Sequence, residues 1–546
     1  MEIAGLTLTA LDLCLKYGPL LVNLCSSWKN AGVEVAERLT IVENAWMKTQ
    51  DQIIFVQRIA PSLDDEHRRV LDNTLAVLAT KLSLAINKCQ GVLAGDTKTG
   101  FLEFASKARR SKYVVIKSTL DEVIKEMEDW QRRFDPSWYL TMRIHNPIVD
   151  QALDRGLQEQ TVVVRSTSSA RNSRSNVTAT TMTMPLSTAA EMRDALRTQP
   201  QRPISVFLPE QAFDVVEIPY CRARAARRKG GNAKWLIVDS IRCIPSSDVL
   251  TLTKDVRNLA RKLTQADPKK FGLLSCKGVM RILEPSSQQI RSFDMIFRAP
   301  EGMEPFHCLR EILLESEKAN ISLSARVRIA QQLATSVSYV HAFNFVHKNI
   351  RPESILVCTQ AEAAKSFTFL VGFDQFRSAD GGTQLQGDTD WARNLYRHPS
   401  RQGEKLVESY KMQHDIYSLG LCLLEVGLWE SLVNYSTEPS QQPQPGRSLH
   451  EYREMNLLHP QPREGSGEWN DSLAFRLKDY LVDLAIMKLP KLMGDKYTNT
   501  VVTCLKCLDE GNEDFGDELE MADEDGILVG VRFIESTLLR LNEIIV

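Results

Sequence analysis

The chain lacks a charge excess of either sign: 67 Lys and Arg face 69 Asp and Glu, a formal net charge of −2. No global field therefore draws it to nucleic acid or to a membrane surface, and any such attraction must come from a local patch. A long uninterrupted apolar run is also missing. The opening stretch MEIAGLTLTALDLCLKYGPLLVNLC is strongly apolar, but Glu2 stands where a secretory signal needs a basic start. Asp12 and Lys16 break the run of about 20 apolar residues that a membrane span requires. Neither a signal nor a permanent span is read there. The 11 Cys are odd in number and follow no repeated spacing, which argues against a disulfide framework and for a reducing compartment. Cys504 and Cys507 form a CxxC without a second such pair or a nearby His pair, so it reads as two small buried residues one helical turn apart and not as a metal site. DEDGILVGVRF near the C-terminus lacks the alternating ligands and distal Glu of a calcium loop and reads as a solvated acidic turn before the last helix.

What is present is patterning. At 546 residues the chain is too long for one core, while 43% hydrophobic and 25% charged residues are ordinary for a soluble multidomain protein. Residues 1–156 read as helix after helix. Leu71, Leu75, Leu78, Leu82 and Cys89 fall at helical spacing behind an N-cap signature at Ser62 and Asp65. Ile116, Leu120, Val123, Met127 and Trp130 form a second seam, and the expectation is an all-α bundle. Residues 157–202, including RSTSSARNSRSNVTATTMTMP, are too poor in large apolar residues to offset their ordering entropy and are expected to be a linker. STAAEMRDALRT within that span is a candidate short helix. From 203 to 302, ISVFLP, DVVEIPYC and KWLIVDSIRC suggest strands and SSDVLTLTKDVRNLARKLTQ a helix; from 303 to 546 helices dominate. Strands with one helix followed by a larger helical half predict an α+β, two-lobed second domain.

FVHKNIRPESIL, FLVGFDQFR and HDIYSLGLCLLEVGLWESL occur in that order in this half. The three segments resemble the catalytic loop, the D-F-G segment and the D-x-W-S-x-G helix of protein kinases. RAPEGMEPFHCLREIL is similar to the hinge between the kinase lobes and the helix after it. His347, Pro352 and Asp415 match structural positions, Asp415 being the aspartate that braces the catalytic-loop backbone. The chemical positions depart from the pattern. Lys348 and Asn349 stand in place of the Arg-Asp pair, Ser354 in place of the metal-binding asparagine, and Gly372-Phe373-Asp374 in place of D-F-G. Asn349 is neutral and cannot accept a hydroxyl proton, and Gly372 offers the metal no ligand because the carboxylate sits two places later. The third strand shows Ser240 or Ile241 about where the family places its lysine, with Arg242 near. CRARAARRKGGNAK occupies the region of the glycine-rich turn, and the helix after it has no clear glutamate. Phosphoryl transfer is mostly positioning and charge neutralisation, so losing base and metal ligand together implies a pseudokinase. It would have no catalytic residue, no metal and no cofactor, and weak metal-independent ATP binding is left open.

The helical half resembles the HeLo and HeLo-like modules of fungal incompatibility and cell-death proteins, through the apolar first helix in EIAGLTLTALDLC. Its joining to a kinase-like half is similar to the plan of mixed-lineage kinase domain-like proteins. That resemblance implies a membrane-active bundle held by a pseudokinase. The candidate membrane-active residues are Ile3, Leu6, Leu8, Leu11, Leu13 and Leu15. Lys107, Arg109, Arg110, Lys112 and Lys117 are candidate contacts for anionic lipid, at about 1 kcal/mol per charge near the surface. The implied partners are a protein activator, a second copy of the chain and anionic lipids, but not nucleic acid. The implied location is cytoplasmic, with translocation to the plasma membrane on activation. Two other readings stay open: a scaffold that only binds proteins, and an atypical active kinase using Arg242 and Asp374.

Overall fold

The computed structural model describes residues 9–94, 105–169, 185–196, 205–229, 234–243, 248–287, 289–315, 321–360, 365–378, 386–388, 390–405, 409–435, 442–450, 471–512, 514–515 and 527–544. They fall into two compact units, Met1–Arg193 and Asp194–Val546.

The first unit is all helical, with α1 Thr9–Ser26, α2 Val33–Ile59, α3 Asp65–Ala94, α4 Ala105–Leu140 and α5 Pro147–Ser169, followed by α6 Pro185–Leu196. α1 packs on α3 and α2, α4 on α2 and α3, and α5 on α2. Both predicted seams are core: Leu71, Leu75, Leu78, Leu82 and Cys89 of α3 and Ile116, Leu120, Val123, Met127 and Trp130 of α4 are buried. Trp130 stacks on Phe134 at 4.6 Å and donates its indole N–H to the Thr74 carbonyl at 2.8 Å, so its large apolar body and its one donor are both satisfied. Gly18 is required where α1 meets α2, since a Cβ there would lie 2.1 Å from the Trp46 ring. A polar strip also crosses the core between α2 and α4: Gln52 donates to Asp135 at 2.9 Å, Gln131 donates to Gln52 at 2.8 Å, and Lys48 reaches Gln131.

Two local expectations change here. The α3 cap is Asp64, which accepts from the His67 N–H at 2.7 Å, while Ser62 turns back to the Ile59 carbonyl at 2.7 Å. α5 runs past residue 156 to Ser169, into the span expected to be linker, and Arg193 of the predicted short helix is buried against it. Arg193 pairs with Asp150 at 3.0 Å and donates to the carbonyls of Met142 and Ile144.

The second unit opens with an antiparallel sheet in the order β1-β2-β3-β5-β4. Its strands are β1 Phe213–Glu217, β2 Arg224–Arg228, β3 Leu236–Arg242, β4 Cys276–Leu283 and β5 Ile290–Arg298. The helix α7, Val249–Thr264, is capped by Asp248, packs on β4 and β5, and is followed by the one-turn α8 Pro268–Phe271. β6 Met303–Cys308 leads into α9 Leu309–Leu314 and α10 Leu323–Ala342; β7 Phe345–Val346, β8 Ile355–Gln360, β9 Lys365–Leu370 and β10 Arg377–Ser378 follow. After α11 Trp391–Asn394, helices carry the rest: α12 Met412–Leu428, α13 Asp471–Met493, α14 Asp495–Leu505 and α15 Ile527–Phe533. α12 is buried along nearly its whole length and packs against α10, α13 and α14, as its apolar sequence dictates. ISVFLP contributes only a single bridge, Phe207 to Val279, and not a strand of its own.

β2 is the main surprise. Arg224–Arg228, read as part of a loop, is a strand whose Ala225 and Ala226 are buried and whose Arg224 and Arg227 lie opposite Glu217 and Asp214 of β1. The β1–β2 turn is therefore residues 218–223, which contain no glycine; Tyr220 takes φ 60° there. Gly230 and Gly231 fall after β2 and lie outside the described residues.

Candidate functional site

The site is built where α10 ends and the chain turns back under the five-stranded sheet. His341 is the penultimate residue of α10, and β7 leads directly into the loop 347–354. Asp415, fully buried in the first turn of α12, holds that loop. One carboxylate oxygen accepts from the His347 backbone N–H at 2.7 Å and meets the His341 ring at 3.2 Å; the other accepts from the Lys348 N–H at 2.9 Å and the Tyr410 hydroxyl at 2.8 Å. Burial pushes the Asp415 carboxyl up, but the His341 hydrogen bond and the other donors outweigh it and hold it below the usual range. This grip keeps Lys348 in a left-handed conformation, φ 64°, which a non-glycine residue adopts only when its surroundings over-determine it.

Asn349 lies at the centre of the loop with both ends of its amide occupied. Its Nδ2 donates to Asp374 at 2.8 Å and to the Gly372 carbonyl at 3.2 Å, and its Oδ1 accepts from Arg351 Nε at 2.9 Å. Ser354 is turned inward: its hydroxyl donates to the Asn349 carbonyl at 2.7 Å and accepts from the Arg351 N–H at 3.2 Å. Gly372 has φ 83°, and a Cβ on it would lie 2.8 Å from Ser354 Cβ. Phe373 is buried beside His347 at 4.7 Å, and burial lowers the His347 pKa despite its nearby carboxylates. Pro352 is buried in the same turn.

The residue that reaches this segment from the third strand is Asp239, which corrects the expected register. Ser240 instead donates to Asp294 at 2.7 Å, Ile241 is buried in the core and Arg242 is exposed at the strand's end. Asp239 Oδ2 accepts from the backbone N–H groups of both Gly372 and Phe373 at 2.9 Å, and Oδ1 is buried without a hydrogen-bond partner among the described residues. Burial raises its carboxyl to about 6, with the two N–H donors acting in the opposite direction. From the β1–β2 turn, Arg222 pairs with Asp374 at 2.6 Å. Arg222, Asp374, Asn349 and Arg351 thus form a continuous chain that runs from the half-exposed Arg222 inward.

Chemically, this arrangement spends its polar groups on itself. The two carboxylates that face Gly372–Asp374 and Asn349 are engaged, Asp374 by Arg222 and Asn349, and Asp239 by two backbone N–H groups. Among the described residues no group of three His, Cys, Asp or Glu side chains could hold a metal ion.

Curated kinases share sequence with the chain at low identity. A Mycoplasma pneumoniae protein provisionally named a serine/threonine-protein kinase is 25% identical over 144 residues, 24% of this chain and 36% of that protein. The Raf homolog serine/threonine-protein kinase of Caenorhabditis elegans is 22% identical over 174 residues, 30% of this chain and 21% of that protein. A mitogen-activated protein kinase kinase of Aspergillus fumigatus is 30% identical over 99 residues, 18% of each chain. The second unit is kinase-like. The chain spans about a third or less of the length of these curated relatives, and no protein-family model matches it.

Outside the kinase-like cleft, the residues singled out in the helical unit are scattered. Leu11 is packed in the core, Leu13 is exposed and Leu15 is half-buried; Ile3, Leu6 and Leu8 lie outside the described residues. Lys117 pairs with Glu34 at 2.6 Å, and the side chains of Lys107, Arg109, Arg110 and Lys112 lie outside the described residues. Among the described residues no helix is long and apolar enough to cross a membrane. Sequence reasoning missed Asp239, Arg222 and Tyr220. The first lies in an apolar strand with no alternation to fix its register, and the other two in a turn that was placed further along the chain, in 221–234.

Proposed function

We propose that this chain is a pseudokinase regulator: its kinase-like unit keeps the shape of the cleft, transfers no phosphoryl group, and governs the helical unit. The observation that supports this most directly is the position of Asp239. A carboxylate on the third strand binds the backbone of Gly372 and Phe373, where a kinase places a lysine for the phosphates and an aspartate for the metal. Asn349 cannot take a proton, and its amide already serves Asp374 and Arg351. The test is transfer of labelled phosphate from ATP to the chain or to a generic substrate, with magnesium and with manganese, beside an Asp374→Ala variant. No transfer above that variant is expected; transfer well above it sinks the reading. A thermal-shift titration with ATP, with and without metal, reports whether nucleotide still enters the cleft.

The helical unit is then the effector. On this reading it acts in regulated cell death of the incompatibility type, self-associating and disturbing anionic membranes when a protein partner releases it from cytoplasmic rest. The apolar N-terminal stretch and the exposed Leu13 and Leu20 on α1 favour that role over a purely protein-binding scaffold. Residues 1–193, which form a unit with its own core, should release dye from vesicles rich in anionic lipid. Intact vesicles would favour the scaffold.

A further inference from the structure

α1 and α3 lie side by side and run parallel. The Ala10 N–H donates to Asp72 at 3.2 Å and the Cys14 thiol to the Leu75 carbonyl at 3.2 Å, near the start of the contact. At its far end the thiols of Cys25 and Cys89 meet, Sγ to Sγ, at 3.9 Å. Both side chains are buried, Cys25 at 1% and Cys89 at 0% exposure, and Cys25 is one residue from the end of α1. The two cysteines closest in sequence show no such approach: Cys504 Sγ faces the Thr537 hydroxyl at 3.6 Å, and Cys507 Sγ donates to the Gln413 carbonyl at 3.2 Å.

We infer that Cys25 and Cys89 are a redox pair, closing to a reversible disulfide that staples α1 to α3. The sulfurs must approach by about 2 Å to reach a disulfide bond length of about 2.05 Å, a movement that side-chain rotation and a small helix shift supply. At this separation either thiol can donate to the other, so whichever sulfur is the thiolate is the attacking one. Burial selects a small oxidant, a hydroperoxide such as hydrogen peroxide. The thiolate of one cysteine attacks one peroxide oxygen; the O–O bond breaks, hydroxide leaves and takes a proton to become water, and that cysteine becomes a sulfenic acid. The other cysteine, as thiolate, then attacks that sulfur; the S–S bond forms and the sulfenic oxygen leaves as a second water. Two thiols and one peroxide give one disulfide and two waters, and a dithiol reverses the bond by exchange. The bond ties α1, the N-terminal helix of the described bundle, to its neighbour, so an event that needs α1 to leave the bundle stops when the pair is oxidised.

The test uses the full chain, reduced, freed of reductant and treated with excess hydrogen peroxide, then alkylated, unfolded and mapped by mass spectrometry. A joined peptide carrying Cys25 and Cys89, cleaved by dithiothreitol, is expected, with Cys504 and Cys507 recovered alkylated or alkylatable. The helical unit should melt several degrees higher after oxidation, and the shift should vanish in Cys25→Ser and in Cys89→Ser. Recovery of Cys25 and Cys89 as free thiols, joining of either to a different cysteine, or a melting shift that survives in both serine variants would overturn the inference. The peptide map needs no variant and stands even where a substitution impairs folding.

Discussion

Replacing Asp239 with asparagine should stabilise the kinase-like unit at neutral pH and flatten its pH dependence on the acid side. Asp239 is fully buried, and its carboxyl is lifted from an ordinary 3.8 to about 6, chiefly by burial. At about 1.4 kcal/mol per pH unit, a lift of that size costs the folded state about 3 kcal/mol once the group is charged. The sign follows from proton counts. Between 3.8 and about 6 the folded chain still holds a proton that the unfolded chain has released, so stability is highest below that window, falls through it, and is flat above it. Asparagine keeps an oxygen to accept from Gly372 and Phe373 but carries no charge. Its amide nitrogen enters the place of the unpartnered Oδ1, and a buried donor without an acceptor costs about 1–2 kcal/mol. The net gain is therefore about 1–2 kcal/mol at about pH 7.5, shrinking to zero or slightly below it at about pH 4. Urea unfolding of Asp239→Asn and parent, followed side by side by circular dichroism across this range, reads the difference directly. The comparison also cancels His398 and His414, whose pKa values burial lowers to about 3 and which destabilise the fold in the opposite direction as pH falls. A variant weaker than the parent by the same amount at every pH would refute the reasoning, because the charge would then be held by a favourable partner that the geometry does not contain.

Three further outcomes are expected. Arg310 is wholly buried and pairs with Glu353 at 3.1 Å and Glu425 at 2.8 Å, so Arg310→Ala strands two buried carboxylates and should cost about 3–5 kcal/mol in denaturant unfolding; a loss below about 1 kcal/mol would contradict it. Gly372→Asp restores a carboxylate at the D-F-G position by sequence, but its Cβ meets Ser354 at 2.8 Å at φ 83°. That variant should lose about 1–3 kcal/mol and gain no metal-dependent melting shift with magnesium or manganese; a clear magnesium-induced rise would count against the geometry. Gly18→Leu drives a side chain into Trp46, 2.1 Å from its Cβ position, and should lower the melting point of the helical unit while leaving the kinase-like unit's transition in place.

The helical seams were legible because burial on one face of a helix imposes a spacing of three and four, and Leu71 to Leu82 and Ile116 to Trp130 keep it without interruption. The braced loop was legible for a different reason: Asp415, His347 and Pro352 sit in short fixed spacings around rigid turns. The third-strand register was not. Leu236, Ile237, Val238 and Asp239 are all buried, so the strand shows no period of two, and a buried aspartate looks out of place until its acceptor role toward Gly372 and Phe373 is seen. β2 was hidden by composition. It was read within the stretch CRARAARRKGGNAK that stands in the region of the glycine-rich turn, yet Arg227 and Arg224 lie opposite Asp214 and Glu217 across the ladder while two alanines fill the core. α5 was cut short at 156 because its later residues are polar, although a helix continues with one face in water as long as its backbone bonds hold.

The departures from the kinase pattern in the cleft are coupled, and this bears on whether any single substitution toward that pattern could be accommodated. Gly372 adopts φ 83°, and its N–H and that of Phe373 both donate to Asp239. A lysine at position 239 would leave those two donors buried without an acceptor, at about 1–3 kcal/mol each, and would add a buried cation to the region where Arg222 already pairs with Asp374. An aspartate at position 349 would supply a base, but the amide that now donates to Asp374 would become a second carboxylate facing it, so one of the two would be driven to take up a proton. An aspartate at position 372 collides with Ser354 unless the backbone first leaves the left-handed conformation that Asp239 fixes. Each change made alone is unfavourable in the surroundings that now stand. The interior of this cleft is therefore one alternative solution to the same packing problem, stable as a set, and on the pseudokinase reading proposed above phosphoryl transfer would require at least these three positions to change together.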